Sequence, residues 1–296
     1  MSLAKLEVMY GHIDGAEGKF ARDPSGYLAI EAGIFRKHGL EVSWQHVQGT
    51  EERYSKLEDG SAQISLVVGR AALQHYLDSK ATRILGSSMN TSPYLLLASS
   101  VIKEITDLKG KSLACMEGAA RIAPLAQVFS DHGLGRDSVA LKLTKGDQDA
   151  FNMLTDGEAD AALLPRPYGF MAEENGFKRI AAWPEVVDDP LPVMIETTQS
   201  LLRAREKELT SFLDAHREGI RYLKTNRAAA IKMLSTRFGH SPALAVKTYD
   251  DYLILLDERM TINFGHLEKL LAQVAPGFSG GARMLAAEWL IPQALR

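Results

Sequence analysis

Arginines follow two apolar segments of this chain, at positions where they could together hold an anion. Arg70 follows the segment Ile64–Val68, and Arg166 comes directly after the segment Ala161–Pro165. Guanidinium groups bind carboxylates and related anions through charge-assisted, often bidentate hydrogen bonds. The pair therefore favours an anionic or carboxylated ligand. Each arginine could instead be a surface residue or one partner of an ion pair between two parts of the molecule.

A second candidate for anion binding is the segment 117–121, which reads Glu-Gly-Ala-Ala-Arg. Small residues at the start of a predicted helix leave its backbone N–H groups accessible, and the helix dipole favours negative charge there. Arg121 would add a charge-assisted hydrogen bond to a carboxylate, sulfonate or phosphate. The segment lacks the Gly-Lys-Ser/Thr ending of a nucleotide-binding P-loop. An ordinary strand–helix turn is the alternative.

The segment 12–26 is rich in glycine and mixed in charge, and we expect it at the mouth of a cleft. Long loops in compact domains are usually functional or disordered, so we expect this one to fold over a ligand and supply His12 or Phe20. His12 and Asp14 are also residue types used in acid–base catalysis. Nothing in the sequence brings them together or adds matched metal ligands, so we predict no catalytic residue, metal or cofactor.

The remaining candidates follow from the position of the predicted strands. Ligands of open parallel sheets lie beyond the carboxyl ends of the strands, so residues just after the strands make up most of the predicted ligand-binding set. The set is His12, Ile13, Asp14, Phe20, Gly49, Thr50, Gly69, Arg70, Asn90, Thr91, Ser92, Glu117, Gly118, Ala119, Ala120, Arg121, Arg166 and Tyr168. Tyr94 and Tyr168 fall near cleft-side positions and could stack on a ring.

The elements that must position these residues come as two similar copies. The phrase at 35–40 recurs at 129–134, and the phrase at 56–63 recurs at 153–160, so the offsets of 94 and 97 differ by three residues. In each copy an apolar segment predicted to be a strand follows, and an arginine lies near its end. Two similar units on one chain predict two lobes that face one cleft; chance similarity between two αβ units is the alternative.

The hydrophobic pattern predicts alternating strands and helices in both copies. Predicted strands are 6–10, 41–47 and 64–68, then 111–116, 139–143 and 159–164, with a return strand at 193–195. Predicted helices after that strand are about 199–225, 227–237, 242–255, 265–274 and 281–294. We therefore predict an α/β protein with two lobes and parallel-rich sheets around a central cleft. Residues 1–92 and 191–296 would form lobe one with a helical C-terminal tail, and residues 93–190 lobe two.

Composition narrows the function classes. Of 296 residues, 46% are hydrophobic and 24% charged, as in a globular protein, and the net charge of −3 argues against nucleic-acid binding. One cysteine, Cys115, excludes an internal disulfide and any cysteine-rich metal site. The first residues carry neither the basic nor the apolar region of a signal peptide, so we expect either a cytoplasmic protein or one whose export signal is missing from this sequence.

Several phrases resemble solute-binding proteins of ABC importers, in the type II periplasmic-binding group that handles nitrate, taurine and alkanesulfonates (NMT1/SsuA-like). They lie at 29–42, 57–60, 105–114 with its Asp-Leu-Lys-Gly-Lys, and 154–162. The resemblance implies two lobes that close on a small solute and deliver it to an ABC permease in the membrane. The similarity does not fix the solute, and the arginines and the helix start favour a small organic anion. The resemblance also implies a periplasmic or membrane-tethered extracytoplasmic location. The helix start of that group is richer in Ser and Thr than 118–120 is, which favours backbone N–H groups and Arg121 as anion contacts.

Three other functions compete with solute binding. A decarboxylase or lyase acting on small aromatic carboxylates would use a cleft histidine or arginine. A ligand-sensing module would need a partner, and this chain shows no DNA-binding extension. Relatives that make the thiamine pyrimidine depend on a cysteine-rich iron-binding signature, which a single cysteine cannot supply. We therefore expect a non-catalytic binding protein.

Overall fold

The computed structural model describes residues 2–10, 19–47, 49–89, 91–135, 137–187 and 193–287, which form two five-stranded sheets flanked by helices. The strands are β1 (Ala4–Tyr10), β2 (Leu40–His46), β3 (Ile64–Val68), β4 (Thr82–Met89), β5 (Tyr94–Ala98), β6 (Ser112–Met116), β7 (Ala140–Thr144), β8 (Ala161–Pro165), β9 (Lys178–Ala182) and β10 (Val193–Thr198). The helices are α1 (Ser25–Glu31), α2 (Ile34–Lys37), α3 (Thr50–Glu58), α4 (Gly69–Ser79), α5 (Ala119–Asp131), α6 (Asp147–Thr155), α7 (Arg166–Glu174), α8 (Trp183–Val186), α9 (Gln199–Thr225), α10 (Arg227–Phe238), α11 (Pro242–Leu255) and α12 (Phe264–Val274).

The first lobe is built on a sheet with the strand order β2-β1-β3-β10-β4. β1 pairs in parallel with β2 and β3, and β10 lies antiparallel between β3 and β4. Leu6, Val8 and Leu66 face a core that includes Phe35 and Phe212, whose rings stack 5.5 Å apart. This burial of apolar surface, worth roughly 25 cal/mol per Å², holds the early helices and α9 against one sheet face.

The second lobe repeats the arrangement with the strand order β7-β6-β8-β5-β9. β6 pairs in parallel with β7 and β8, and β5 lies antiparallel between β8 and β9. In each lobe the antiparallel strand is the one that follows a crossing from the other lobe, because β5 follows β4 and β10 follows β9. The predicted α/β class, with two parallel-rich sheets around a cleft and helices at the C-terminal end, is confirmed.

The duplicated phrases occupy equivalent places in the two lobes. Phe35 and Phe129 lie near the ends of α2 and α5, each just before the chain turns towards an edge strand. Gly39 and Gly133 in those turns have φ of 79° and 71°, a left-handed conformation that costs glycine little and other residues more. The repeat in the sequence therefore marks the end of a helix that precedes the same strand in each sheet.

The C-terminal helices pack mainly on the first lobe, and α11 also contacts the second lobe. Tyr249 and Tyr252 of α11 belong to the core of the first lobe, while Leu244 packs into a cluster of the second lobe with Ala172 of α7. No helix in the described part of the chain is both long and apolar enough to cross a membrane.

The end of the described chain differs from its prediction. A helix is predicted at 281–294, but a short 3₁₀ turn over Ala282–Leu285 is followed by extended chain. The backbone N–H of Ala287 donates to the carbonyl of Ile84 at 3.0 Å, so this segment adds to β4 rather than continuing a helix. The rest of the predicted helix lies outside the described residues.

Candidate functional site

A cavity of about 970 Å³ lies between the two lobes. The first lobe contributes one face of α3 and one face of α4, and the second lobe contributes the turn between β6 and α5. Arg22 from the chain before α1, Tyr94 at the start of β5 and the end of α12 complete the lining. The residues are Arg22, Glu51, Tyr54, Ser55, Glu58, Val68, Arg70, Ala71, Gln74, His75, Asp78, Tyr94, Met116, Glu117, Gly118, Arg121, Gln273 and Val274. Arg70, Glu117, Gly118 and Arg121 of the predicted ligand-binding set are among them.

The hydroxyl of Tyr94 joins the two lobes. Arg22 Nη2 and Arg121 Nε each donate a hydrogen bond to it, at 3.1 Å in both cases. A phenolic oxygen accepts hydrogen bonds through its lone pairs and donates one proton. Because both guanidinium groups use the oxygen as an acceptor, the Tyr94 proton is left for a third group. Tyr94 is buried and lines the cavity, so an anion there could accept this proton's hydrogen bond.

Arg121 is bound by a carboxylate of its own lobe. Its Nη1 and Nη2 donate to the two oxygens of Asp147, at 2.6 and 3.0 Å, and both side chains are buried. Burial alone would lower the pKa of Arg121, but Tyr94 and Asp147 outweigh it and raise the pKa, so the guanidinium stays charged. Because Asp147 neutralises that charge, Arg121 acts on the cavity chiefly by holding Tyr94.

Arg22 differs from Arg121 in how its guanidinium is satisfied. Its Nη2 donates to Tyr94, whereas Nη1 is buried and has no hydrogen-bond partner among the described residues. An unpaired buried N–H of a charged group costs more than a neutral one, so this nitrogen favours an anionic ligand in the cavity. Arg22 is absent from the predicted set, although it lies in the 12–26 segment predicted to be functional. The long loop was the one sequence feature that could have pointed to Arg22 as a cavity residue. Residue type alone does not distinguish Arg22 from the other polar residues of that loop.

The turn from β6 into α5 brings a helix start to the cavity. Gly118 precedes α5 with φ 145° and ψ 137°, a conformation that other residues adopt only with strain. Glu117 beside it pairs with Lys145 across a Nζ–Oε1 distance of 2.6 Å on an exposed surface. Ala119 and Ala120 form the first turn of α5.

The wall from the first lobe carries two stacked rings beside the acidic side chains Glu51, Glu58 and Asp78. The rings of Tyr54 on α3 and His75 on α4 stack with centroids 3.4 Å apart and an angle of 2° between planes. His75 Nε2 also lies 3.3 Å from Glu58 Oε1. Burial lowers the pKa of His75, so the neutral imidazole is favoured despite the neighbouring acids. Neither ring belongs to the ligand-binding set predicted from the sequence.

Arg70, the second residue of α4, lines the cavity. Its Nη2 donates to Gln273 Oε1 of α12 at 2.8 Å.

Gly69 is the first residue of α4, and Thr50 is the first residue of α3 after Gly49. Thr91 and Ser92 belong to the crossing between lobes, where Ser92 Oγ accepts a hydrogen bond from the backbone of Tyr94 at 3.5 Å.

Seven described residues of the predicted set do not line the cavity: Phe20, Gly49, Gly69, Thr91, Ser92, Arg166 and Tyr168. Phe20 packs in the core of the first lobe, and Tyr168 packs in a core cluster of the second lobe. The Arg166 Nη1 group pairs with Asp251 of α11, which matches the interlobe ion pair considered for it. Burial raises the pKa of Asp251 to about 6, although Arg166 opposes this effect. His12, Ile13, Asp14 and Asn90 lie outside the described residues.

Metal ligation and thiol chemistry can be judged from the side chains of the described ranges. There, no group of three or more His, Cys, Asp and Glu side chains is placed to hold a metal ion. Cys115 is buried in β6, and burial raises the pKa of its thiol to about 11, which disfavours the reactive thiolate.

Solved structures share this fold over nearly the whole chain. SsuA from Xanthomonas axonopodis pv. citri, an alkanesulfonate-binding protein bound to MOPS, has 16% identity and a TM-score of 0.70 over 97% of this chain and 96% of its own. A putative periplasmic sulfonate-binding SsuA from Methylobacillus flagellatus KT has 13% identity and a TM-score of 0.74 over 98% and 93%. The periplasmic nitrate-binding protein NrtA from Synechocystis PCC 6803 has 10% identity and a TM-score of 0.73 over 96% and 85%.

Sequence comparison identifies the family. No curated protein sequence matches the chain significantly. A family model described as NMT1/THI5-like matches residues 25–230, more than two-thirds of the sequence. The match begins at α1 and includes the whole second sheet, the first sheet apart from β1, and the lobe crossings. The chain therefore belongs to the NMT1/THI5-like family, with the two-lobed fold of periplasmic binding proteins.

Proposed function

We propose that this protein binds a small organic anion between its lobes, outside the cytoplasm, and delivers it to an ABC permease in the membrane. The observation that carries the proposal is Arg22, which lines the interlobe cavity and whose buried Nη1 has no hydrogen-bond partner among the described residues. Arg70 adds a second guanidinium to the lining. The sulfonate- and nitrate-binding proteins of similar fold support a transport role, although their low identity leaves the solute open.

The geometry supports binding by closure of the cleft. Arg22 belongs to the first lobe, Arg121 to the second, and Tyr94 lies where the chain has just crossed between them. An anion that accepts hydrogen bonds from Arg22 and Tyr94 gains most when the lobes are close. Such a ligand shifts the equilibrium between open and closed states by its greater affinity for the closed state.

Binding without turnover separates this proposal from a decarboxylase or lyase of the same fold. The first experiment is a thermal-shift screen of small sulfonates, carboxylates and aromatic acids, with neutral amides of equal size as controls. We expect Tm to rise with one or more anions and not with their neutral analogues, because only ligands that bind the native state stabilise it. A solute recovered unchanged after long incubation supports transport. Release of carbon dioxide, or stabilisation by neutral analogues alone, would contradict the proposal.

A further inference from the structure

The chain around Arg22 is held in place by the helices of the C-terminal tail. Arg22 and its two neighbours lie in neither a helix nor a strand. His240, which follows α10, donates from Nε2 to the Lys19 carbonyl at 2.7 Å, and the hydroxyl of Tyr252 on α11 donates to the Ala21 carbonyl. The position of this cavity arginine therefore depends on side chains that are remote from it in sequence.

The contact nearest to Arg22 is made by Asp23, the next residue of the chain. His216 Nε2 on α9 donates to Asp23 Oδ2 at 2.7 Å, and both side chains are fully buried. The backbone N–H and the hydroxyl of Ser25 donate to Asp23 Oδ1, at 3.0 and 2.5 Å. Hydrogen bonds to an ionised carboxylate are roughly twice as strong as neutral ones. Asp23 therefore ties the residue beside Arg22 to the start of α1 and to α9.

His216 has little freedom to move. Its imidazole stacks on Trp44 and Phe212, with ring centroids 5.6 and 5.4 Å apart and interplanar angles of 19° and 12°. The next turn of α9 lies so close to α1 that a Cβ on Gly219 would come within 2.9 Å of Ala29 Cβ. In a close-packed interior, a side chain held on several sides cannot shift without moving its neighbours. His216 therefore offers Asp23 a fixed partner.

The side chain of Arg22 is fixed at both ends by these contacts. Its Nη2 donates to Tyr94 at 3.1 Å, while its Nη1 is buried without a hydrogen-bond partner among the described residues. Tyr94 contacts the guanidinium end of the side chain, whereas Asp23 holds the adjoining backbone. His216 does not line the cavity, so its effect on a ligand has to pass through these residues.

We propose that His216 is a positioning residue for the anion site: through its hydrogen bond with Asp23, it holds Arg22 at the interlobe cavity. The assignment rests on the proposed function, in which Arg22 contacts the anion. Helix α9 thereby contributes to ligand affinity as well as to packing, although none of its residues lines the cavity.

The test is a double-mutant cycle, measured by calorimetry with butanesulfonate and benzoate as probes. His216→Phe keeps a ring that can stack and removes the N–H, whereas His216→Gln keeps an N–H that can donate to Asp23. Each substitution is made in the wild type and in Arg22→Ala. The Tm of every variant is measured first, and the titrations are run at a temperature at which all of them are folded.

We expect His216→Phe to bind the anions roughly tenfold more weakly than the wild type, as when a residue that orients a metal ligand is replaced. His216→Gln should bind close to wild-type affinity. In Arg22→Ala, His216→Phe should cause little further loss, because the effects of residues that act through one contact are not additive. A purely structural role of His216 would lower Tm without this coupling.

Wild-type affinity in a folded His216→Phe, or an equal loss of affinity with and without Arg22, would overturn the positioning role and leave anion binding intact. If His216→Phe does not fold, Asp23→Asn takes its place in the cycle, since an amide has one acceptor oxygen where the carboxylate has two. If the wild type binds neither probe, the proposed function itself fails. If Arg22→Ala binds like the wild type, Arg22 is not the anion contact, and the positioning role fails with it.

Discussion

Arg121 and Asp147 form a bidentate ion pair inside the second lobe, with nitrogen–oxygen distances of 2.6 and 3.0 Å. The pair joins the first turn of α5 to the first turn of α6, and it fixes the guanidinium that holds Tyr94. The sequence suggests Arg121 as a direct ligand contact. In the structure, Asp147 of the same lobe balances its charge.

Breaking this pair should destabilise the fold. Asp147→Asn leaves the buried guanidinium of Arg121 without a counter-charge, which typically costs about 3–5 kcal/mol. We expect a loss of about 3 kcal/mol in the free energy of unfolding, measured by urea denaturation. Lys145→Ala, which breaks the exposed pair with Glu117, should cost less than about 1 kcal/mol. Equal effects of the two variants would mean that the buried pair is not a structural link.

The Tyr94 hydroxyl should contribute to ligand affinity. Tyr94→Phe keeps the ring and removes the proton that the two arginines leave available, and it also takes away the oxygen that accepts from Arg22 and Arg121. The loss of one hydrogen bond to a charged acceptor, about 1.5 kcal/mol, corresponds to roughly tenfold weaker anion binding by calorimetry. Tyr168→Phe is the control, because its hydroxyl contacts the backbone of Lys19 at 3.4 Å away from the cavity. Unchanged affinity in Tyr94→Phe would remove this tyrosine from the site.

Glu196 on β10 should make stability depend on pH. Burial raises the pKa of Glu196 from 4.5 to about 8, although Tyr54 and Arg53 act in the opposite direction. Between these values the native state binds more protons than the unfolded state, so the free energy of unfolding should fall as pH rises through this range. Glu196→Gln mimics the protonated acid. It should therefore match the wild type near pH 5 and exceed it by about 2–4 kcal/mol near pH 9.

Denaturant unfolding across this pH range measures the effect of Glu196 directly. Asp23 provides an internal contrast, because its pair with the buried His216 and hydrogen bonds from Ser25 overcome burial and lower its pKa to about 2. The contribution of Asp23 to the free energy of unfolding is lost only as pH falls from about 4 towards 2. A wild-type stability that is flat between pH 5 and 9 would contradict the account of Glu196.

The ion pair of Arg166 with Asp251 should link α7 to α11 in a pH-dependent way. Arg166→Ala leaves the Asp251 carboxylate buried without a partner, and we expect a loss of about 3 kcal/mol at pH 8. The loss should be smaller at pH 5, because Asp251, whose pKa is about 6 even beside Arg166, is then protonated.

A control for this pair comes from the same two helices. Lys247 on α11 lies 3.0 Å from Glu173 on α7, in a more exposed pair. Lys247→Ala should cost less than about 1 kcal/mol at either pH. If the loss of free energy of unfolding in Arg166→Ala is the same at pH 5 and pH 8, the Asp251 carboxyl is not the cause of that loss.

The local pattern of the sequence predicts much of the fold. The strand predicted at 64–68 and the helix predicted at 242–255 match β3 and α11, because their apolar spacing and flanking turn residues are unambiguous. β9 is missing from the prediction, since its first residues are exposed and charged. Over its described residues, 281–287, the last predicted helix is wrong, because the chain there pairs with β4, a contact that is remote in sequence.

The site is predicted less well, for a physical reason. Positions such as Gly118 depend on local geometry, and the end of a strand is enough to find them. Arg22 depends on a contact with Tyr94, 72 residues later, and Arg166 on one with Asp251, 85 residues later. Whether an arginine meets a carboxylate or an open cavity is decided by these distant contacts, and no single-sequence pattern encodes that choice.

In the proposed function, anion binding depends most on Arg22, whose guanidinium receives the anion. Calorimetric titration of the tightest-binding anion into the wild type, Arg22→Ala and Arg36→Ala tests it directly. Arg36 is an exposed arginine of α2 outside the cavity lining. The loss of charge-assisted hydrogen bonds worth about 1.5–3 kcal/mol predicts affinity roughly 10- to 100-fold weaker in Arg22→Ala. Arg36→Ala should bind like the wild type. Wild-type affinity in Arg22→Ala would contradict the account.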